Sequence, residues 1–187
     1  MSLIPFGFWA ASGGGAAGAF DLLETTTLTT SASSVTFSGL DAYSDYKHLQ
    51  IRMVTRANNV SANWIKTGFQ FNNSTTTLYS GHELFGNGSS VSSQNEINTT
   101  FAYGGVTPDG ANDANTYGAS CVDFLDYASS SKNTTVRGLA GQSTTYSNFI
   151  GLSSGLWRST AAVTQIKVLL ESESFVAGSR FSLYGVK

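Results

Sequence analysis

The sequence predicts an all-β chain: an antiparallel β-sandwich, jelly-roll-like, with an extended N-terminal arm. Three observations carry that expectation. The runs 48–56, 162–170 and 180–186 alternate with a period of two, the pattern of half-buried strands. Clusters of Gly, Asn, Asp and Ser recur roughly every 8 to 14 residues, and no amphipathic run reaches the ~11 residues of a mean globular helix. Phe, Tyr and Trp make up 12% of the chain, and with the β-branched Thr, Val and Ile they favour pleated sheet. About nine to eleven short strands in one domain close as a sandwich, because an open sheet of that width would leave an uncovered apolar face and long edges. The chain carries no internal repeat of the length a propeller or solenoid requires.

Residues 1–19 carry no charge and present Leu3, Ile4, Phe6, Phe8 and Trp9 ahead of a Gly-Ala stretch. The segment lacks the Lys or Arg of a signal peptide, and Pro5 and Gly7 interrupt any apolar helix. After Trp9 it is too weakly apolar for the ~20 residues a bilayer demands, so no membrane insertion is expected. The boundary therefore falls between an arm, 1–19, and a sandwich domain, 20–187. The arm either folds back on its own sheet or is disordered, or it docks on a neighbouring subunit. Five large apolar side chains left in water favour docking, which makes Leu3, Ile4, Phe6, Phe8 and Trp9 the candidate partner-binding residues.

The strands begin at Phe20 with a long Thr-rich run, followed by a short strand over 35–38. Residues 39–47 lack a period of two and suit a loop or a single helical turn. In 48–56, Leu49, Ile51 and Met53 face one side while Gln50 and Arg52 face the other. Residues 64–71 and 78–85 make further strands, the second ending in the turn punctuation of Gly86, Asn87 and Gly88. Residues 92–103 suit an edge strand, 104–115 a loop, 117–125 a central strand, and 136–141 and 149–152 two short strands. The runs 163–170 and 180–184 read as a hairpin with a long loop, in which Gly178 supplies a positive φ. Phe181, Leu183 and Val186 predict that the last strand is paired deep in a sheet.

Composition excludes several function classes. Only 12% of residues are charged, against roughly 25% in an ordinary domain. A net charge of −2, with Arg52, Arg56 and Lys66 scattered rather than striped, argues against nucleic acid. Cys121 reads as a small buried hydrophobe. His48 and His82 are the only histidines, and no HxH, HExxH, CxxC or GxSxG pattern occurs, so no metal, cofactor or catalytic residue is expected. Asp123 with Asp126, and Glu171 with Glu173, suit solvated turns. The loop 108–115 has oxygen ligands but no EF-hand pattern, and a surface turn is its default reading. Sugar recognition is the serious rival, since Tyr43, Tyr46, Trp64, Tyr79, Tyr103 and Trp157 have faces on which sugar rings stack.

Four segments, GLWRSTAAVTQIKVLLESESFVAGSRFSLYGVK, DYKHLQIRMVTRANN, YSGHELFGNGSSVSS and FLDYASSSKNTTVRGL, resemble a family of virion structural proteins of tailed bacteriophages, common in marine phages and labelled head, decoration or tail proteins. The resemblance implies a non-enzymatic part of the virion, with no catalytic residues and no cofactor. The expected function is a capsid decoration or cement protein that docks through its N-terminal arm on other virion proteins, the major capsid protein or tail proteins, and works as a trimer. The alternative is a tail-fibre or receptor-binding module that recognises a host surface glycan. Either would be assembled in the bacterial cytoplasm and reside in the virion.

Overall fold

The computed structural model describes residues 18–58 and 63–187. They form β1 (Phe20–Thr27), β2 (Ser34–Ser38), β3 (His48–Thr55), β4 (Trp64–Phe71), β5 (Tyr79–Gly86), β6 (Val91–Thr99), β7 (Ala102–Pro108), β8 (Gly118–Leu125), β9 (Thr134–Ser143), β10 (Asn148–Trp157), β11 (Gln165–Leu170) and β12 (Arg180–Val186), with one 3₁₀ turn over Leu40–Tyr43. An eight-stranded sheet has the order β1-β12-β3-β8-β9-β10-β5-β6, and a four-stranded sheet the order β2-β11-β4-β7. Every pairing is antiparallel. β1 pairs β12, β2 pairs β11, β3 pairs β8 and β4 pairs β7, so these eight strands form an antiparallel ribbon rolled across two layers, which is a jelly roll. The insertions β5–β6 and β9–β10 extend the larger sheet beyond β8.

The core lies between the layers. Strands β3, β8 and β12 turn Leu49, Ile51, Val122, Phe124, Phe181 and Leu183 inward, against Phe37, Phe69, Phe71, Ile166 and Val168 of the smaller sheet. Phe69 meets Phe124 edge to face at 5.1 Å between ring centres. Each such side chain contributes about 1.5–3 kcal/mol by leaving water. One end of the sandwich is closed by Tyr127, whose hydroxyl donates to the carbonyls of Leu40 and Tyr43. At the other end, fully buried Phe175 bridges Ala32 and Ala57 and packs edge to face on Phe181. A smaller cluster of Val106, Ala140 and Phe149 fills the space beneath the extension, with Trp64 and Phe85 packed against it. There the layers touch backbone to backbone: a Cβ on Gly138 would meet Ser153 Oγ at 2.5 Å and the Gly104 carbonyl oxygen closer still.

The predicted strands 48–56 and 64–71 and the central strand near 117–125 are present, as is the helical turn within 39–47. The last strand lies between β1 and β3, deep in the large sheet. Four readings are corrected. β11 and β12 are not a hairpin; they belong to opposite sheets, and residues 171–179 arch between them with Gly178 at φ 88°. The run 92–103 splits at Thr100, so that β6 is the exposed edge while β7 is a wholly buried strand reaching Pro108. Its glycines Gly104 and Gly105 resemble a loop in sequence, yet they sit where the side chains of Phe69 and Ser120 leave no room for a Cβ. β9 and β10 each run ten residues, longer than expected, because their interior Gly and Ser also read as turn formers. Cys121 is half-buried on the outer face of β8 rather than in the core.

Candidate functional site

The arm residues Leu3, Ile4, Phe6, Phe8 and Trp9 lie outside the described residues. Phe20 opens edge strand β1 opposite Val186. Its ring lies over the Arg52 guanidinium at 5.0 Å, and Tyr184 lies over the same guanidinium at 4.4 Å. Arg52 Nε donates to Gln50 Oε1 at 2.7 Å, Gln50 Nε2 donates to Asp123 Oδ1 at 2.7 Å, and Arg137 Nη2 donates to Asp123 Oδ2 at 2.7 Å. This polar stripe crosses the outer face of the large sheet.

Beside the stripe the outer face is apolar. Leu139, Leu152 and Leu84 stand directly opposite one another on β9, β10 and β5, and they are 50%, 56% and 47% exposed. The next row holds Val54, Ala119, Gly141, Ile150, Gly86 and Val91. Ile150 is 64% exposed and Val91 75%, so this patch stands in water. Within it lies a trough of about 630 Å³. Its floor is the short outward side chains of β8, Ala119 and Cys121, between taller walls of Arg52 and Val54 on one side and Leu139 and Ile150 on the other. Burial pushes the Cys121 thiol pKa up, with Asp123 adding to the rise.

Two polar clusters are structural. Lys66, nearly buried, donates from Nζ to Glu96 Oε1 at 2.6 Å and to the Tyr103 hydroxyl at 3.3 Å. That lysine bond, with a second from Tyr103, holds the Glu96 carboxyl below its ordinary range. Burial first, and Glu96 second, push Tyr103 well above the usual tyrosine range. In the loop between β7 and β8, Arg56 Nη1 donates to the carbonyls of Asp113 at 2.6 Å and Thr116 at 3.0 Å, and Nη2 to those of Asn112 at 2.9 Å and Gly110 at 3.3 Å. These four loop carbonyls are taken up by the guanidinium. Asp109 and Asn112 are buried, so 108–115 is an internally braced corner and not a simple surface turn.

The aromatic residues that suggested sugar stacking do not gather on one surface. Tyr79, Tyr103 and Trp157 are buried, Tyr43 packs against the core, Trp64 packs on Phe149, and Tyr46 lies against Gly185. His48 Nδ1 accepts from the Asp126 backbone amide at 2.9 Å, while Lys132 donates to the Asp126 carboxylate and lowers its pKa. His82 is four strand spacings from β3 across the sheet, roughly 19 Å away. Asp123 stands in the sheet stripe rather than in a turn. Among the described residues no cluster of His, Cys, Asp and Glu suits a metal ion, and no helix is long and apolar enough to cross a membrane. The outer patch was the feature the sequence reading missed. Its signal was present: β9 and β10 carry apolar residues at both parities, Val136 and Ala140 inward with Leu139 outward, and Phe149 inward with Ile150 and Leu152 outward, as in sheets covered on both faces.

No family model and no curated protein matches the chain. Among solved structures it is similar to an exo-inulinase from Aspergillus awamori, with a TM-score of 0.39 and 14% identity, covering 90% of this chain and 29% of that one.

Proposed function

We propose that this chain is a non-enzymatic structural component of a tailed-phage virion, a capsid decoration or cement protein that docks through residues 1–19 and self-associates, with a trimer as the expected assembly. The observation that carries the proposal is the exposed apolar outer face of the large sheet, carried by β5, β9 and β10. A face with Leu84, Leu139, Ile150 and Leu152 in water suits a protein that spends its working life against other copies or a lattice. The jelly roll is a frequent architecture of capsid proteins, which supports the reading by fold analogy. The resemblance of the four quoted segments supports it independently. The described polar clusters each brace a strand or a loop, and this favours a scaffold over an enzyme.

Copy number per purified virion tests the role. Hundreds of copies fit a capsid lattice; a few dozen or fewer fit a tail-fibre or receptor-binding module; none refutes a virion role. Deleting residues 1–17 is expected to release the protein from particles while leaving its melting temperature unchanged. Retention of the truncated chain on the particle would move the anchor elsewhere.

A further inference from the structure

We propose that the trough over Ala119 and Cys121 is the seat for the apolar arm, residues 3–9, of a neighbouring copy of this chain, so that copies are laced together arm into trough. The inference rests on reading residues 1–19 as a docking arm, and adds where that arm is received. A volume of about 630 Å³ falls within the roughly 300–1,000 Å³ of sites that bury an apolar ligand. The trough suits an inserted side chain better than another flat sheet, because Ala119, Cys121 and Gly141 lie low between Arg52 and Val54 on one side and Leu139 and Ile150 on the other. Arg52 and Arg180 are the charged side chains that line it; both are exposed and long enough to keep their guanidiniums in water while the charge-free arm docks beside their stems. The trough is open along its length, which leaves the arm's backbone hydrated while Phe6, Phe8 and Trp9 go in.

The direction of β1 favours a neighbour over the arm's own body. β1 runs from Phe20, opposite Val186, to Thr27, opposite Arg180, and the trough lies along Arg180, Ser182 and Tyr184 of β12. The chain ahead of Phe20 therefore approaches from the far end of the strand, and entering its own trough requires a full reversal. Residues 10–19, extended, span roughly 33–36 Å, enough to reach an adjacent copy. Ordering a Gly-rich reversal on top of the seven docking residues adds entropy cost that a straight path avoids.

Cys121, the only cysteine, lies on the trough floor and makes the contact testable in the full chain. In a Phe8→Cys variant treated with copper(II) phenanthroline, the two thiols lose two protons and give two electrons to copper as the S–S bond forms. The expected product is a covalent series of two or more copies on a non-reducing gel, lost when Cys121→Ser is added. A disulfide confined to single chains, or none at all, overturns the proposal. Independently, Leu139→Glu on the trough wall is expected to shift sedimentation from the assembled species to monomer, as removal of residues 1–17 does. Unchanged sedimentation of Leu139→Glu, or a parent that is already monomeric, also overturns it. Particle retention separates the two readings. If the arm-deleted chain leaves the particle while the full-length Phe8→Cys chain forms no cross-link to Cys121, the trough is sunk and the docking arm spared; cross-linked full-length copies that never stay on particles do the reverse.

Discussion

Replacing Arg56 with Met removes the one cation that holds the corner between β7 and β8, and the geometry sets the size of the effect. Four carbonyls accept from its guanidinium, but the bonds at 3.0 and 3.3 Å are the longer pair, and their carbonyls regain water when the side chain goes. Counting only the bonds at 2.6 and 2.9 Å, at about 1.5 kcal/mol each for a charged donor, gives a loss of about 3 kcal/mol. For a domain of this length that lowers the melting temperature by roughly 6–12 °C. Arg56→Lys keeps the charge and loses the planar fork, so it should recover less than half of the difference. Calorimetry gives the melting shifts, and amide exchange is expected to quicken over residues 110–116 in both variants while the β3 and β8 ladders stay protected. If Arg56→Met melts within about 2 °C of the parent, or Arg56→Lys melts with the parent, the four-carbonyl clasp is not what braces the corner.

Three other outcomes are expected. Gly138→Ala pushes a methyl into the Gly104 carbonyl and Ser153 and should cost about 1–3 kcal/mol in denaturant unfolding, whereas Gly141→Ala, whose nearest neighbour would be Phe149 O at 3.7 Å, should cost little; equal midpoints would refute the backbone contact between layers. Because Lys66 holds the Glu96 pKa below its ordinary 4.5, the stability this pair adds is fully present above pH 4.5 and fades as pH falls through the lowered value. Glu96→Gln should therefore flatten that part of the stability profile, and an unchanged acid limb would show that the pair contributes nothing. Since burial raises the Cys121 pKa, maleimide should modify it more slowly at neutral pH than it modifies a free thiol, and an equal rate would place the thiol in open solvent.

What the residues determined on their own is the set of strands whose buried apolar side chains keep one parity. In β3, Leu49, Ile51 and Met53 are inward with Val54 alone among the apolar residues outward, and in β11 Ile166, Val168 and Leu170 are inward with Leu169 outward, because a period of two gives each strand one face to bury. Turn chemistry was equally local: Asn87 Oδ1 caps the amides of Ser89 and Ser90, and Gly178 takes the positive φ that the arch into β12 needs. Only the tertiary structure decided which sheet each strand joins. β1 pairs with β12 across nearly the whole chain, as the bond between Thr25 and Ser182 illustrates, and no local pattern encodes a partner that far away. β7 was hidden because its glycines yield no alternation, and their purpose appears only where Phe69 and Ser120 occupy the space a side chain would take. The trough has the same origin. Ala119 and Cys121 are merely small residues until the register of β3, β8, β9 and β10 sets Cys121 between Arg52 and Leu139, and Ala119, beside Gly141, between Val54 and Ile150; which side chains stand next to one another across a sheet is decided by that register.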